Sequence, residues 1–299
     1  MSATDAPSGL PARVETPAPG DGRLDRLSLN QRTTQRLSLR EVIDHAVAAG
    51  LPAVGLWRDR VSEVGLDVAR AWVDDSGLRV SSLCRGGFFT TSEPAAREAA
   101  LQDNRAAIDE AAAIGAATLV LVPGGLPAGD TDIRRARRHV VEAIDELVPY
   151  AAARQVTLGI EPMNPIYAAD RGVVSTLAQA LDIAEKYATE EVGVVVDTFH
   201  VWWDPEVLTQ IARAGRRIAS YQVCDWITPL PADTLLSRGM MGDGHIDFAE
   251  LTAAVTQAGY SGDIEVEIFN ADVWAAPGEQ VIATMARRYV ELIEPSLRS

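Results

Sequence analysis

Cysteine is scarce in this chain. Only two of its 299 residues are cysteines, Cys84 and Cys224, and both lie in apolar stretches. Small secreted proteins commonly rely on several disulfides, whereas cysteines in reducing compartments stay free. We therefore predict two buried free thiols and a cytoplasmic protein, with a disulfide between the two cysteines as the less favoured alternative.

Basic residues are few relative to acidic ones. The sequence has 27 lysines and arginines against 42 aspartates and glutamates, which gives a formal net charge of −15. Nucleic acids and anionic membrane surfaces are bound largely through basic side chains. The charge therefore argues against both as partners and favours a small, mostly neutral substrate.

Long apolar segments are lacking as well. No apolar run approaches the roughly 20 residues of a membrane-spanning helix, although 47% of the residues are hydrophobic. Residues 1–22 have neither the basic start nor the apolar centre of a secretory signal peptide. Their proline, alanine, glycine and serine content predicts a disordered leader ahead of one catalytic domain over residues 23–299.

What the sequence does contain is a regular alternation of short apolar strands and amphipathic helices. The eight strand segments are RLSLNQRTT, AVGLW, RVSSLCRGG, TLVLVPGG, VTLGIEP, VGVVVD, IASYQVCD and DIEVEIF. Such alternation implies parallel pairing, and eight units in about 270 residues match an α/β fold, the single (β/α)8 TIM barrel. A doubly wound sheet would normally carry a glycine-rich turn after its first strand, and RLSLNQRTT is not followed by one.

Carboxylates stand where several later strands end. Strand five ends at Glu161, strand six at Asp197 and strand eight at Glu267. In a TIM barrel these strand ends surround the active site, and alternation along a strand can turn such side chains towards the barrel mouth. Three converging carboxylates repel one another unless a cation compensates them, and a hard divalent metal would do so.

Each carboxylate taken singly also has a purely structural explanation. Aspartate is favoured where a helix begins, so Asp197 could simply cap the helix that follows VGVVVD. The glutamates could be solvated loop ends. For all three together, on neighbouring parts of one barrel, a shared ligand site is the better explanation.

The second half of the chain resembles a known family. GIEPMN, VVVDTFH, a polar strand seven, RGMMGDGHIDF and GYSGDIEVEIF are similar to the sugar phosphate isomerase/epimerase group of xylose isomerase-like TIM barrels, which includes ketose 3-epimerases and inosose dehydratases. The resemblance extends over essentially the whole chain from about residue 25. It implies a divalent metal, Mn²⁺ or Mg²⁺, held by Glu161, Asp197, position 222 and Glu267.

One position departs from the family's pattern. Where the resemblance implies a histidine ligand on strand seven, this chain has Gln222 in SYQVCD. An amide oxygen can coordinate a hard metal, but it is a weaker donor than imidazole. We interpret Gln222 as a metal ligand, with a position behind a coordinating water as the alternative.

The resemblance also implies residues that touch substrate. His200, three positions after the strand-six aspartate, would bind a substrate hydroxyl or carbonyl. Asn164 and Arg238 match positions that contact substrate in ketose epimerases.

Three further candidates follow from their positions near the strand ends. Trp57 could stack on a sugar face, with core packing as an equal alternative. Arg85 could bind substrate oxygens, because the adjoining glycines allow a close backbone approach. Arg171 could clamp substrate or order its own loop through an ion pair.

The predicted chemistry is proton abstraction next to a carbonyl. A metal polarises that carbonyl as a Lewis acid, and two carboxylates exchange protons with the substrate. In the resembling epimerases the carboxylates correspond to Glu161 and Glu267, and His200 is a further candidate base. We therefore predict a metal-dependent sugar isomerase or epimerase of carbohydrate metabolism. A non-phosphorylated substrate is favoured, because the loop after strand seven offers only Arg238 as a cation.

Other functions stay open at this point. With a leaving group β to the acidified carbon, the same residues would form a lyase or dehydratase acting on an oxidised sugar, such as a 3-oxo-glycoside or an inosose. A DNA-repair endonuclease on the same barrel would need more than the four histidines present, and a basic groove. The chain could also be a non-catalytic accessory subunit, and it could form a homo-oligomer.

Overall fold

A closed barrel of eight parallel strands forms the centre of the molecule, as a computed structural model describes it for residues 15–298. The strands are hydrogen-bonded in the order β1-β8-β7-β6-β5-β4-β3-β2. In chain order they are β1 Leu27–Asn30, β2 Ala53–Trp57, β3 Arg79–Gly87, β4 Thr118–Val122, β5 Thr157–Ile160, β6 Val192–Asp197, β7 Ile218–Val223 and β8 Ile264–Val266. The predicted TIM barrel is confirmed.

Helices connect successive strands and pack against the barrel. They are α1 Leu39–Ala48, α2 Arg58–Val64, α3 Leu66–Ser76, α4 Pro94–Ala113, α5 Ile133–Ala152, α6 Leu177–Ala184, α7 Thr198–Val201, α8 Val207–Ala214, α9 Phe248–Gln257, α10 Ala271–Ala275 and α11 Gly278–Leu292. A separate antiparallel ribbon pairs Asp225–Trp226 with Arg238–Gly239. Within residues 15–298, no helix is both long and apolar enough to cross a membrane.

The first strand is shorter than its sequence pattern predicts. RLSLNQRTT predicts a strand as far as Thr34, but the strand ends at Asn30 and Gln31–Thr34 form a short 3-10 helix. The Asn30 side chain accepts a hydrogen bond of 2.8 Å from the Arg32 backbone N–H, which turns the chain at the strand end. The prediction is therefore wrong for the last four residues of that segment.

Two apolar regions hold the barrel together. The larger core lies between the strands and the surrounding helices, and a smaller cluster of Cys84, Val120 and Val195 packs with Trp57. Both cysteines are free and buried, as predicted. A Cβ atom on Gly159 would contact Val195 in this inner cluster, in agreement with the alternation expected along β5.

The predicted leader, residues 1–22, falls largely outside the described residues. Near its end, the Asp21 side chain accepts a hydrogen bond from the Arg23 backbone and caps a 3-10 helix over Gly22–Leu24. The division into a leader and a catalytic domain stays a prediction.

Candidate active site

A cavity of about 320 Å³ lies at the carboxyl ends of the barrel strands. Seven of the ten residues predicted for the site line it, namely Trp57, Arg85, Glu161, Arg171, His200, Arg238 and Glu267. The other three, Asn164, Asp197 and Gln222, are buried behind its wall. The strand ends singled out from sequence therefore meet in one place.

Glu161, Asp197 and His200 come together as candidate metal ligands. One ligand atom from each residue lies within 4.8 Å of the other two. His200 Nε2 is 3.8 Å from Glu161 Oε1 and 3.9 Å from Asp197 Oδ2. This convergence follows from the pairing of β5 with β6, which brings the two strand ends side by side.

Arg238 is the cation nearest to these carboxylates. Its Nη1 donates a hydrogen bond of 2.7 Å to Asp197 Oδ2, and its Nη2 lies 3.4 Å from Glu267 Oε2. The guanidinium is buried and lies 4.8 Å from the centre of the Phe199 ring. One guanidinium among three carboxylates leaves the cluster with an excess of negative charge if all three are ionised.

Asp197 caps a helix and also binds a buried side chain of the site, while its predicted role as a metal ligand stays a prediction. Its Oδ1 accepts a hydrogen bond of 2.8 Å from the Phe199 backbone N–H, which caps the short helix α7. Its Oδ2 is the atom bound by Arg238. The structural and the functional explanations of this aspartate are therefore compatible.

Burial makes the two glutamates of the cavity hard to ionise. It raises the pKa of Glu161 well above the ordinary value, and the charges of Asp197 and Glu267 raise it further. Burial likewise raises the pKa of Glu267 to about 8, against the opposing effect of Arg238. Carboxyl groups of this kind can act as acid and base near neutral pH.

His200 is neutral and meets a donor at each ring nitrogen. Burial lowers the pKa of His200 to about 3, although the charge of Asp197 opposes the shift. The Asn164 backbone N–H donates to Nδ1 at 3.1 Å, and Arg238 Nη2, which can only donate, lies 3.1 Å from Nε2. A neutral imidazole has one acceptor nitrogen, so it satisfies only one of these two donors. Nε2 is the nitrogen that lies within 4 Å of both Glu161 and Asp197.

Gln222 lies between two acidic residues of neighbouring strands. It is in register with Asp197 of β6 and with Glu265 of β8. Its Nε2 donates to Glu265 Oε1 at 3.3 Å, whereas its Oε1 is buried without a hydrogen-bond partner among residues 15–298. A buried acceptor of this kind is rare in folded proteins and calls for a ligand, water or ion.

The donor set fits a divalent cation. Glu161 and Asp197 supply carboxylate oxygens, and Gln222 has an unpartnered amide oxygen next to Asp197 in the barrel register. Oxygen donors of these types suit hard divalent metals. A cation would also relieve the repulsion that raises the pKa of Glu161.

Asn164 does not line the cavity. Its Nδ2 donates to the Phe199 carbonyl at 3.3 Å, and its Oδ1 accepts from the Ile166 backbone at 3.2 Å. Through its own backbone N–H it orients His200. The structure therefore places Asn164 behind the site, where it supports the imidazole.

Trp57 is both a cavity residue and a packed core residue. Its Nε1 donates to Asn30 Oδ1 at 3.0 Å, and its ring meets the edge of Phe269 with centres 5.7 Å apart. The Arg32 guanidinium lies 4.2 Å from the centre of the same ring. Trp57 therefore packs as the core alternative predicts, and stacking on a sugar face stays a prediction.

The sequence reading missed several residues of the cavity, of which Arg32 is the most informative. Arg32 lies just beyond the end of β1 and lines the cavity, together with Tyr167, Phe269 and Trp274. The sequence pattern predicts Gln31–Thr34 to continue the first strand, whereas the strand ends at Asn30 and so places Arg32 at the cavity. Cations reach the cavity from the early strands as well as from the loop after β7.

Relatives of known name match parts of the chain. An L-ribulose 3-epimerase of Mesorhizobium japonicum is 27% identical over 132 residues, 44% of this chain and 40% of the epimerase. An inosose isomerase of Halalkalibacterium halodurans is 23% identical over 159 residues, 52% of this chain and 55% of the isomerase. A 3-dehydroshikimate dehydratase of Pseudomonas aeruginosa is 29% identical over 146 residues, 46% of this chain and 22% of the dehydratase. The chain spans about half the length of these relatives or less.

Solved structures match the chain over most of its length. Protein SMc04130 from Sinorhizobium meliloti 1021 is 47% identical with a TM-score of 0.88, covering 90% of this chain and 98% of its own. The IOLI protein with a bound zinc atom is 20% identical with a TM-score of 0.78 over 90% and 98% of the two chains, a likeness of fold alone. Residues 43–291 match the family model for the xylose isomerase-like TIM barrel. The chain is therefore a member of the xylose isomerase-like TIM barrel family.

Proposed function

We propose that this protein is an enzyme that abstracts a proton next to the carbonyl group of a small sugar and thereby isomerises or epimerises it. The observation that carries the proposal is the pair of buried glutamates, Glu161 and Glu267, that face one cavity. They follow β5 and β8, which are separated in the barrel by β6 and β7. Two carboxyl groups so placed can act on a substrate between them as base and acid.

The remaining polar groups have complementary roles in this proposal. His200 binds the substrate oxygen on which negative charge develops, and the Arg238 guanidinium adds positive charge nearby. The cavity walls of Trp57 and Phe269 exclude water from the reacting carbon. Relatives named as an epimerase and an isomerase support this reaction class.

We include a divalent metal in the proposal. Glu161, Asp197 and Gln222 would hold it, with Glu267 as the fourth ligand that the family resemblance implies. When bound, such a metal supplies Lewis-acid polarisation of the substrate carbonyl. Glu161 and Asp197, two members of the candidate ligand cluster, support it, as does the zinc atom bound by the structurally similar IOLI protein. Mn²⁺ stays our expectation from the resemblance.

A second candidate function is β-elimination on an oxidised sugar. It is favoured by the similarity to a 3-dehydroshikimate dehydratase, 29% identical over the matched part. The same proton abstraction would begin both reactions, and a leaving group on the next carbon would decide between them. The residues assigned above would serve either outcome.

Deuterium exchange tests the proposal. The metal-loaded protein is incubated in D₂O with free ketoses, aldoses and 3-oxo-glycosides, and exchange at carbon is followed by NMR. Glu161→Gln and Glu267→Gln should each lower turnover by about 10²–10⁴-fold, the usual contribution of a positioned base or acid. An isomeric product indicates the isomerase, and an unsaturated product or a released aglycone indicates the lyase.

The exposed Glu190 provides the matched control, because Glu190→Gln removes one carboxylate away from the cavity. Turnover close to that of the unchanged protein is expected for it. The same result for a metal-loaded Glu161→Gln or Glu267→Gln variant would contradict the assigned role of that glutamate.

A further inference from the structure

Several arginine side chains line the cavity, although the molecule has a formal net charge of −15. Four of them line it, namely Arg32, Arg85, Arg171 and Arg238. Arg238 is bound by Asp197 at 2.7 Å, and Arg32 is bound by both oxygens of Asp59 at 2.8 and 2.9 Å. These two guanidinium groups therefore have carboxylate partners within the protein.

Arg85 has no such partner. Among residues 15–298 it makes neither a hydrogen bond nor an ion pair, and its guanidinium lies 4.0 Å from the centre of the Phe88 ring. Arg85 is exposed to solvent while it lines the cavity. Arg171 forms an ion pair with its neighbour Asp170 at 3.3 Å, and its guanidinium lies 5.8 Å from the centre of the Tyr167 ring. The cavity wall thus holds a solvent-exposed guanidinium to which residues 15–298 offer no carboxylate.

The backbone beside Arg85 is held in an unusual shape. Phe88 has a φ of +60°, a value that residues with side chains seldom adopt. Gly87 has a φ of +110°, and a Cβ atom there would overlap the Val122 carbonyl. Strained backbone of this kind persists where the surrounding structure fixes it, often at binding sites. Here it presents Phe88 as the ring against which Arg85 stacks.

We propose that the substrate of this enzyme carries a carboxylate, which Arg85 binds with Arg171 beside it while the reacting carbonyl lies between Glu161 and Glu267. The substrate class is then a sugar acid or a related polyhydroxylated acid. This inference rests on the proposed function and adds the substrate class to it. A guanidinium pairs with a carboxylate through two parallel hydrogen bonds. Arg171 already has Asp170 at 3.3 Å, so Arg85 is the unpaired guanidinium and matches one monoanion, whereas a phosphate carries close to two charges near neutral pH.

The test compares three matched ligands of the same carbon chain: a neutral sugar, its aldonic or uronic acid, and its phosphate. Binding to the metal-loaded protein is measured by calorimetry, and deuterium exchange is measured on the corresponding keto forms. We expect the acid to bind more tightly than the neutral sugar by about 10- to 100-fold, the range for a hydrogen bond to a charged group. In Arg85→Gln this preference should fall to about one.

Arg134 provides the matched control, since it is an exposed arginine on α5 away from the cavity. Arg134→Gln removes the same charge and should keep the full preference for the acid. No preference for the acid in the unchanged protein, an unaltered preference in Arg85→Gln, or a larger Arg85-dependent gain with the phosphate would each overturn the inference.

The two readouts separate this inference from the function beneath it. Deuterium exchange on neutral sugars, without tighter binding of the acids, would uphold the proposed function and contradict the carboxylate site. Arg85-dependent binding of acids, with no exchange on any keto form, would uphold the carboxylate site and contradict proton abstraction.

A different observation concerns Glu265, a fully buried glutamate of β8 inside the barrel. Its carboxylate accepts hydrogen bonds from four side chains, namely Asn30, Ser81, Ser82 and Gln222. A Cβ atom on Gly55 would overlap this carboxylate, so β2 leaves room for it. Burial raises the pKa of Glu265, and the bonds from Ser81 and Asn30 oppose the rise.

The contact with Gln222 decides which way that amide faces. Glu265 accepts hydrogen bonds, so it selects the Nε2 side of the amide. The Oε1 atom is thereby left for another partner, and Asp197 is the residue in register on the other neighbouring strand. Without Glu265, either orientation of the amide would be available.

We infer that Glu265 is a positioning residue that orients the Gln222 amide oxygen towards the metal ligands Glu161 and Asp197. Gln222 stands where the family resemblance implies a histidine on strand seven. Glu265 then provides the buried acceptor that the Gln222 amide needs for its Nε2 group. Glu265 acts through Gln222 and touches neither the metal nor the substrate.

Binding of Mn²⁺ alone tests this assignment, with free Mn²⁺ measured by electron paramagnetic resonance. Glu265→Gln should weaken Mn²⁺ binding by about 10-fold or more, as is usual when the partner of a metal ligand is changed. Ser81→Ala is the matched control, because it removes another bond to Glu265, of 2.5 Å, and leaves Gln222 untouched. It should lower stability but leave Mn²⁺ affinity within about twofold.

Equal Mn²⁺ affinity in Glu265→Gln and the unchanged protein would overturn the assignment, and so would equal weakening in Ser81→Ala. Gln222→His covers the case in which Glu265→Gln does not fold. An imidazole can donate one N–H to Glu265 and offer its other nitrogen to the metal, so affinity should be kept or raised. A tenfold loss in that variant would contradict the inference.

Discussion

Asp197 shows how one side chain can cap a helix and also bind a charged group of the candidate site. One carboxylate oxygen accepts the Phe199 backbone N–H at 2.8 Å, and the other accepts Arg238 at 2.7 Å. The residue is fully buried, so neither contact competes with bulk water. A short helix that begins directly at a strand end gives the aspartate this double geometry. At the residue scale, a cap and a ligand are compatible roles.

Substitution of Asp197 separates the two roles. Asp197→Asn keeps an oxygen that can accept from Phe199 but removes the charge, whereas Asp197→Ala removes both. Mn²⁺ binding should fall by at least about tenfold in each variant, because a neutral ligand or none replaces a carboxylate. The alanine variant should also lose about 0.5–2 kcal/mol of unfolding free energy from the lost cap.

Urea denaturation of the metal-free proteins and Mn²⁺ titration measure the two effects independently. Full metal occupancy in Asp197→Ala would contradict the ligand assignment. A stability of Asp197→Asn as low as that of Asp197→Ala would show that the hydrogen bond to Phe199 contributes little.

At the scale of elements, the strands follow their sequence pattern and the segments after them do not. The apolar core of each predicted strand is present in the barrel, from Leu27–Asn30 to Ile264–Val266. The segment Gln31–Thr34 becomes a 3-10 helix, and α2, Arg58–Val64, begins directly after β2 without having been predicted. Hydrophobic periodicity reports buried faces, whereas strand ends depend on local hydrogen bonds that periodicity does not encode.

The segment after β3 illustrates the same limit. RVSSLCRGG predicts a strand, and β3 does extend over all nine residues, Arg79–Gly87. The left-handed conformation of Phe88 and the stacking of Arg85 on its ring are not visible in that pattern. They depend on β4, whose Val122 carbonyl lies against Gly87.

At the scale of the whole molecule, net charge differs from the local charge of the site. The formal charge of −15 suggested a neutral substrate, yet four arginines line the cavity. Most acidic residues lie outside the cavity, many of them in exposed ion pairs such as Arg40–Asp44 and Arg70–Asp74. Local charge at a binding site is set by which side chains the fold brings together, and the average over the surface does not report it.

The stability of the metal-free protein should depend on pH in a way that reports the buried glutamates. The pKa of Glu267 is raised to about 8, so the folded protein holds a proton that the unfolded chain releases above its ordinary pKa of 4.5. Stability from this group is therefore lost as pH rises towards 8. The pKa of His200 is lowered to about 3, so its contribution to stability increases as pH rises. That increase ends near the ordinary His pKa of 6.5.

Between about pH 6.5 and 8, the pH dependence of stability therefore reports the buried carboxyl groups without a contribution from His200. Unfolding free energy should fall by about 2 kcal/mol across it for one such group, and Glu267→Gln should reduce the slope. Thermal unfolding at a series of pH values, with and without Mn²⁺, measures this. A metal-free protein whose stability is flat across the window would contradict the raised pKa of Glu267.

The sequence by itself determined the barrel, the carboxylates at its mouth and the departure at position 222. Each depends on local information, namely periodicity, residue type at a strand end, and motifs such as VVVDTFH. The tertiary structure alone decided what each side chain contacts: it gives Glu265 its donors, and within residues 15–298 it leaves the Gln222 oxygen and the Arg85 guanidinium without a hydrogen-bond partner. The physical reason is distance along the chain. Glu265 meets Asn30 and Ser81 across more than 180 residues, and only closure of the barrel brings them within hydrogen-bonding range.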